Sequence, residues 1–500
     1  MKNKSVHWIA LALLVVPMFA SYFFDDMFSS VSQLFSAPEN LQLGWNSADY
    51  GFYAGGYSFL CVWGGLVVCG MLLDKWGVRV TGSIFVGMMT VGAALVAVAI
   101  SSGWAPKTSL AVAYVGCMLF GLGSEIAGVA VTRSIAKWFK GKNMAFAMGL
   151  QLAVARLGTA AALVIAPKLI MSSADPLHFY TLSETNRTAL LGLALLLLGC
   201  ILWAVFVAMD YRFDMAKAVS LSDGKDQEDS LCGSDPIDSK PVVGAAEKGD
   251  DERSESDSVK DESAGVESAK DESAGGESAK ENDAFRFSDI FRILSNKRFL
   301  MIALLCVFFY CCIISFKKFA TSILIPRFGI DYETASWMVS MIPFSTVVFA
   351  PLFGLLVDKV GKGPRWMIAG AALVLIAHLT IAFAPASISF GDTTLNTGFL
   401  GYVAVGLLGI GYSLLPAAMW PAVPEIVPEK NLGTAYSLIY WVQNIGLMTV
   451  PVAVGAIFKV QSGETAAVAA EAIFISLALL ALTVAIAFAY KAPVKSVKSV

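Results

Sequence analysis

Apolar residues in this chain are gathered into long runs, separated by short polar loops that are often basic. A helix needs about 20 apolar residues to cross the hydrocarbon of a bilayer. Windows of that length pick out twelve runs. In the first half they lie near 8–31, 48–73, 80–101, 110–134, 143–169 and 187–209; in the second, near 299–325, 333–357, 366–385, 397–422, 432–457 and 465–490. The pattern predicts an all-α membrane protein of twelve transmembrane helices. It divides into a first six-helix bundle (1–209) and a second (299–490), with a basic tail at 491–500. The first run is too long for a secretory signal and carries Asp25 and Asp26, so it is expected to stay as the first span.

The segment between the bundles has a different character. From 210 to 284 it is rich in Ser, Glu, Asp and Lys, and Lys260–Ala269 (KDESAGVESA) recurs as Lys270–Ala279 (KDESAGGESA). No aromatic residue lies between Phe213 and Phe285, so the segment cannot bury enough apolar surface to offset its ordering entropy. It is expected to be a disordered acidic linker. Residues 285–298 follow as an amphipathic stretch suited to the membrane surface.

Charge then sets an orientation. The formal net charge is −3, but residues 210–286 hold ten basic and twenty-two acidic residues, a balance of −12 that leaves +9 on the remainder. The basic residues of that remainder favour the tails and even-numbered loops (Lys75, Arg79, Lys137, Lys140, Lys142, Lys297, Lys359, Lys362, Arg365). By the positive-inside rule both termini and the linker are expected in the cytoplasm. Composition agrees with a membrane body: 56% hydrophobic residues, 15% charged and a mean hydropathy of +0.67. The eight cysteines lie mostly within apolar runs and only three histidines are present, so no metal site and no cofactor is expected.

A motif recurs one half-chain apart. Gly70-Met-Leu-Leu-Asp74-Lys75-Trp-Gly77-Val-Arg79 follows the second run, and Gly354-Leu-Leu-Val-Asp358-Lys359-Val-Gly361 with Arg365 follows the eighth. The first glycine of each copy allows close helix approach, the second a tight turn, and the Asp can bind basic groups or backbone N–H of the opposite half. This pattern resembles the cytoplasmic motif of major facilitator transporters. That resemblance implies two parallel six-helix repeats with the substrate between them near mid-membrane, and gating roles for Asp74, Lys75, Arg79, Asp358, Lys359 and Arg365.

Charges inside apolar runs are expensive and mark candidate sites. Glu125 lies about 9 residues into the fourth run and Arg156 about 13 into the fifth from their shared loop, so their depths differ by roughly 6 Å. Two readings stand: a permanent buried salt bridge, or a site for a zwitterion. In the second, Arg156 presents a planar fork to a carboxylate and Glu125 accepts from an ammonium. Asp25 and Asp26 come about 17 residues into the first run, and Lys317 and Lys318 about 17 into the seventh. Ion pairing between them would close an external gate, although the lysines could instead snorkel to the surface. Tyr22, Asp25, Trp420, Gln443 and Asn444 complete the candidate substrate cavity; each of the aromatic and amide groups also has a plain packing role open to it. Arg133, Glu425 and Glu429 sit at inner helix ends as gate or capping charges, and Pro416, Pro421 and Pro424 can kink the tenth helix.

The run Gly409–Pro428 (GIGYSLLPAAMWPAVPEIVP), Leu432-Gly-Thr-Ala-Tyr-Ser and Gln443-Asn-Ile-Gly-Leu are similar to the branch of that superfamily that includes the lysosomal dipeptide transporters of animals. So are Tyr22–Asp25, the Glu125 segment, Trp138-Phe139 with Gly141-Lys142, and Arg156-Leu-Gly158. The resemblance covers both bundles but not the linker. It implies uniport or proton-linked movement of dipeptides, with Glu125 and Arg156 holding the peptide's termini or a charged side chain; in animals such a carrier works with a glycosylated accessory subunit. Asp26 and the phenylalanines before it depart from the branch's first-helix pattern, which leaves side-chain preference open.

An organic-anion carrier of the same superfamily is the nearest alternative, and Glu125 counts against it. A non-transporting receptor or scaffold with the linker as its working part is a second. No nucleophile–base set, metal cluster or phosphate loop points to an enzyme, and nothing points to nucleic acid. The expected partners are a dipeptide-like solute, the lipid bilayer and protons. The expected location is a bacterial inner membrane, or a lysosomal membrane in a eukaryote, where Asn186-Arg-Thr188 would read as a glycosylation signal.

Overall fold

The structure, a computed structural model, describes residues 2–139, 144–170, 178–231, 292–385, 387–390, 393–396, 398–428 and 432–491. The linker repeat, Lys140, Gly141, Lys142, Glu429, the first part of the 285–298 stretch and the tail beyond Lys491 lie outside the described residues, as does the side chain of Asp74. Twelve helices are long and apolar enough to cross a membrane. They are α1 (Val6–Ser36), α2 (Ser47–Leu73), α3 (Lys75–Ser101), α4 (Pro106–Trp138), α5 (Phe146–Ile170) and α6 (Leu182–Ala216) in the first half. The second half has α7 (Lys297–Phe328), α8 (Tyr332–Val360), α9 (Gly363–Phe383), α10 (Gly398–Ala422), α11 (Thr434–Val460) and α12 (Gly463–Tyr490). Among the described residues a hairpin lies between α9 and α10, in which β1 (Ser387–Phe390) pairs antiparallel with β2 (Thr393–Asn396).

Local chemistry sets the helix ends. Asn46 caps α2 by accepting from the Ala48 and Asp49 N–H groups, while Asp49 returns a bond to the Asn46 N–H. Asn296 and Asp331 cap α7 and α8 in the same way, and Gly329 ends α7 in the left-handed region at φ +59°. The regular α-helix of α1 stops at Asp26 and continues as a 3₁₀ segment, Ser29–Ser36, which places both aspartates at the point where the helix tightens. Within α2 a wide turn at Cys61–Gly65 breaks the ladder, with Gly64 at φ +94°.

Packing repeats with the sequence. In the first half α1 packs on α5, α2 on α4 and α3 on α4; six helices later α7 packs on α11, α8 on α10 and α9 on α10. Between the halves, α2 meets α11 and α5 meets α8, the two contacts that a two-fold relation between the bundles exchanges. The α2–α11 crossing is close because it is built from glycines. A Cβ added at Gly51 would lie 2.4 Å from the Pro451 carbonyl oxygen, at Gly55 2.5 Å from that of Met448, and at Gly455 2.4 Å from that of Ser47. These residues sit toward the face opposite the linker, called the outer face below, so the halves are joined there.

The two motif copies behave differently from the expectation for their first glycines. Gly77 and Gly361 adopt φ +75° and +67°, as a tight turn demands. Around Gly70 and Gly354, however, an added Cβ would meet nothing within 4 Å among the described residues. Close approach at those positions is absent in this conformation because the bundles converge at the outer face instead. Asp210 also differs from its sequence placement at the head of the linker. It is buried within the helical body, where its carboxylate accepts from Arg79 Nε (2.7 Å), Lys137 Nζ (2.8 Å) and Trp138 Nε1 (2.8 Å). Three elements of the first half are tied together there.

Candidate functional site

Glu125 on α4 is bonded within the first half, while Arg156 on α5 reaches a ring of the second half. Glu125 Oε1 accepts from the Tyr57 hydroxyl of α2 at 3.1 Å, and that hydroxyl also reaches Ser124 Oγ at 3.3 Å. Ser124 in turn shares a 2.5 Å bond with Ser21 of α1. Arg156 lies between two aromatic faces, its guanidinium carbon 5.6 Å from the Tyr22 ring centre and 5.1 Å from that of Tyr412 on α10. Among the described residues no ion pair joins Glu125 and Arg156. Of the two sequence readings, the permanent salt bridge is therefore not the arrangement found. A carboxylate and a guanidinium are each held against tyrosine.

The second half supplies the facing wall. Trp420 donates its indole N–H to the Tyr310 hydroxyl at 3.2 Å and packs against Tyr436 and Tyr440. Tyr310 meets Tyr412 edge-on with ring centres 5.8 Å apart, which links this cluster to Arg156. Gln443 accepts from the Cys306 thiol on α7 at 3.3 Å, and Asn444 donates to the Tyr440 carbonyl one turn back at 3.0 Å. Asn444 Oδ1 is buried without a partner among the described residues. Tyr57, Tyr310, Tyr412 and Tyr440 were not singled out in the sequence; the signal for them is a tyrosine inside an otherwise apolar run.

Above this region, toward the outer face, the aspartates of α1 meet the lysines of α7. Lys317 Nζ donates to Asp26 Oδ2 at 2.6 Å, and Lys318 Nζ donates to Asp25 Oδ1 at 2.8 Å and to the Asp25 carbonyl at 2.6 Å. Lys318 also lies 3.3 Å from Asp26 Oδ1. The Asp26 side chain is fully buried and the lysine side chains are 9% and 8% exposed, so the lysines do not snorkel. Asp25 joins this cluster and is not bonded to Arg156. It remains 27% exposed and borders a small crevice with Phe24, Phe28, Tyr53 and Phe120. Around the ion pairs, Ser32 bonds to Thr321 (3.1 Å) and Ser322 (3.0 Å), and the Tyr50 hydroxyl donates to the Lys318 carbonyl (3.1 Å). These contacts join the two halves toward the outer face. At mid-depth one further bond joins the halves, Trp441 Nε1 to the Val62 carbonyl at 2.7 Å.

On the linker face Lys75, Arg133, Asp358, Lys359 and Arg365 are exposed, and Arg79 is engaged by Asp210 of its own half. Asn186 and Thr188 are 3% and 0% exposed at the start of α6, so this Asn-Arg-Thr sequence offers no glycan acceptor in the folded chain. Among the described residues no group of His, Cys, Asp and Glu is arranged to hold a metal.

Comparison with known proteins accords with this architecture. The model of the Major Facilitator Superfamily matches residues 18–328 and 303–500. The lysosomal dipeptide transporter MFSD1 of Gallus gallus is 29% identical over 392 residues, covering 77% of this chain and 70% of that protein. Its counterpart in Danio rerio is 26% identical, covering 92% and 82%, and that of Homo sapiens 26%, covering 82% and 70%. Among solved structures, the nucleoside transporter NupG superposes with a TM-score of 0.61 at 12% identity, over 97% of this chain and all of that one. The xylose transporter XylE from E. coli does so with a TM-score of 0.58 at 14% identity, over 99% and 98%. Twelve apolar helices, two packed repeats and a family match over nearly the whole of both bundles agree: this chain is an integral multi-pass membrane protein that belongs to the Major Facilitator Superfamily.

Proposed function

We propose that the protein is a secondary transporter that carries dipeptides, or a similar amphoteric solute, between its halves by alternating access. The observation that carries this reading is the pair of opposite charges at mid-membrane that do not neutralise each other. An uncompensated charge in a membrane core is costly, and here a carboxylate and a guanidinium are each left with tyrosine partners. A zwitterion completes both. Its carboxylate takes the planar fork of Arg156, and its ammonium, or a cationic side chain, takes Glu125. The aromatic wall of Trp420, Tyr310 and Tyr412 suits a substrate with an apolar body between its charged ends. A simple organic anion satisfies only Arg156 and is repelled by Glu125.

In this reading the basic face is cytoplasmic and the ion pairs of Asp25 and Asp26 with Lys317 and Lys318 form the outer gate, closed here. Asp74, Asp358 and their basic neighbours act on the opposite gate. The similarity to MFSD1 of three vertebrates supports a dipeptide cargo and a lysosome-like membrane in a eukaryotic cell. A bacterial source would place the protein in the inner membrane.

A thermal-shift screen of the purified protein tests the proposal, because a ligand that binds the folded state raises its stability. Free dipeptides should stabilise it, and N-acetylated or C-amidated forms should do so far less. Stabilisation by dicarboxylates with no response to dipeptides would overturn the amphoteric reading in favour of an anion carrier.

A further inference from the structure

Away from Glu125 and Arg156, a histidine and a glutamate meet inside the second bundle. His378 on α9 and Glu471 on α12 are both 0% exposed, and His378 Nδ1 lies 2.8 Å from Glu471 Oε2. Their surroundings are aromatic: Phe316 of α7 meets the imidazole edge-on at 5.3 Å and Phe474 stacks on it at 5.4 Å. His378 Nε2 and Glu471 Oε1 are buried with no hydrogen-bond partner among the described residues. Buried polar atoms are nearly always satisfied, and a charged group among phenylalanines in a membrane is more costly still. Two packed apolar side chains would hold α9 against α12 without either penalty.

The geometry restricts where protons can be. At 2.8 Å one proton must lie between Nδ1 and Oε2, since two bare lone pairs would repel. With that proton alone the pair carries one negative charge. A second proton has two places to go, Nε2 and Oε1, which are the two atoms left without partners, and with it the pair is neutral. We propose that His378 and Glu471 form a buried proton-binding site, which takes up one proton on Nε2 or Oε1 and releases it as a unit.

The neighbouring charges fit this role. Arg327 on α7 lies within electrostatic reach of Glu471. It donates to the carbonyls of Ile381 (2.9 Å) and Ala384 (2.8 Å) at the end of α9, and pairs with Glu464, two helical turns from Glu471 toward the outer face. It thus bridges α9 and α12 on the outer side of the pair. Cys312 on α7 is the other titratable neighbour, and its thiol is turned to the Phe309 carbonyl at 3.0 Å. Lys317 and Lys318, on the same helix, are committed to Asp26 and Asp25. Phe316, in contact with His378, directly precedes Lys317, so the site and the outer ion pairs share α7.

The chain has three histidines, which makes the test direct. In an H7Q/H178Q protein carrying isotope-labelled histidine, every imidazole signal belongs to His378. Its nitrogen resonances and the carboxyl infrared band are followed across roughly pH 5 to 9. A single proton should bind, seen at Nε2 or as a carboxyl band that E471Q abolishes. In E471Q the proton affinity of His378 should fall at least about tenfold, because the carboxylate that favours the cation is gone. A His378 signal and carboxyl spectrum that do not change over the range would overturn the proposal, as would an identical titration in E471Q. If E471Q does not fold, the titration of the H7Q/H178Q protein decides alone. No step depends on transport or cargo, so a failure of the dipeptide reading leaves this result intact.

Discussion

Two sets of charges stand in the same membrane core and are handled in opposite ways. At the outer face Asp25, Asp26, Lys317 and Lys318 are matched two against two, with bonds of 2.6–2.8 Å across the halves. About one helical turn deeper Glu125 and Arg156 are matched one against one in number but not in contact, each resting on tyrosine hydroxyls or ring faces. Burying an ion pair is tolerable when its geometry is good; leaving charges apart is tolerable only where water or a ligand reaches them. The first set therefore reads as closure that the protein completes by itself. The second reads as a site completed by something from outside.

The largest effect is expected where the pairing is tightest. Asp26→Asn leaves Lys317 buried at the closed gate without its charge partner, which should destabilise this conformation by about 3–5 kcal/mol. Because an open gate returns the lysine to water, the protein escapes by opening outward. A cysteine placed at Ser32, beside the gate, should then react much faster with an impermeant thiol reagent applied from outside. Asp25→Asn should have a far smaller effect, since Lys318 keeps Asp26 at 3.3 Å and the Asp25 carbonyl. Equal labelling in both variants would contradict the division of labour within the cluster.

Next comes the unpaired set. Arg156→Lys keeps the charge but loses the fork and the flat surface stacked between Tyr22 and Tyr412. Affinity for a free dipeptide should fall on the order of ten- to a hundredfold, the worth of one charge-assisted contact, with little change in melting temperature. Glu125→Gln should weaken free dipeptides and spare their N-acetylated forms. Loss of thermal stability in both variants, with free and capped ligands affected alike, would show that the two charges are architectural after all.

The difference between the two sets also explains what the sequence revealed. The pairing of Asp25 and Asp26 with Lys317 and Lys318 was legible because these charges sit at equal depth, about 17 residues into the first and seventh runs, and a repeat that places two helices opposite each other brings equal depths together. Glu125 and Arg156 were legible as charges in apolar runs, but their separation was not, because it depends on tyrosines from α1, α2 and α10. Asp210 was misplaced since it falls where the apolar run gives way to acidic sequence, and only its three donors show that it belongs to the bundle. Glu471, a charge inside the twelfth apolar run, carried the same signal as Glu125, but its meeting with His378 was not legible, because it rests on the packing of α9 against α12, 93 positions apart. The hairpin Ser387–Asn396 was readable in principle, as two short alternating stretches around Gly391-Asp392.

The smallest effect on stability tests whether the motif glycines belong to the state not seen here. Gly55 is spent on the closed outer face, with the Met448 carbonyl where a methyl would go, so Gly55→Ala should cost this conformation about 1–3 kcal/mol. Gly70→Ala and Gly354→Ala add a methyl that meets nothing within 4 Å among the described residues, and should change the melting temperature by no more than an exposed substitution does, within about 0.5 kcal/mol. Transport should nonetheless slow in both. When the outer face opens, a rocking of the halves brings the opposite side together, and the helix ends that carry Gly70 and Gly354 must then pack as α2 and α11 pack now. The added methyl would obstruct that second closure alone. A rate equal to wild type in both variants, measured in vesicles with normal expression, would mean that these glycines serve only the turn that follows them, and that the inner gate closes elsewhere.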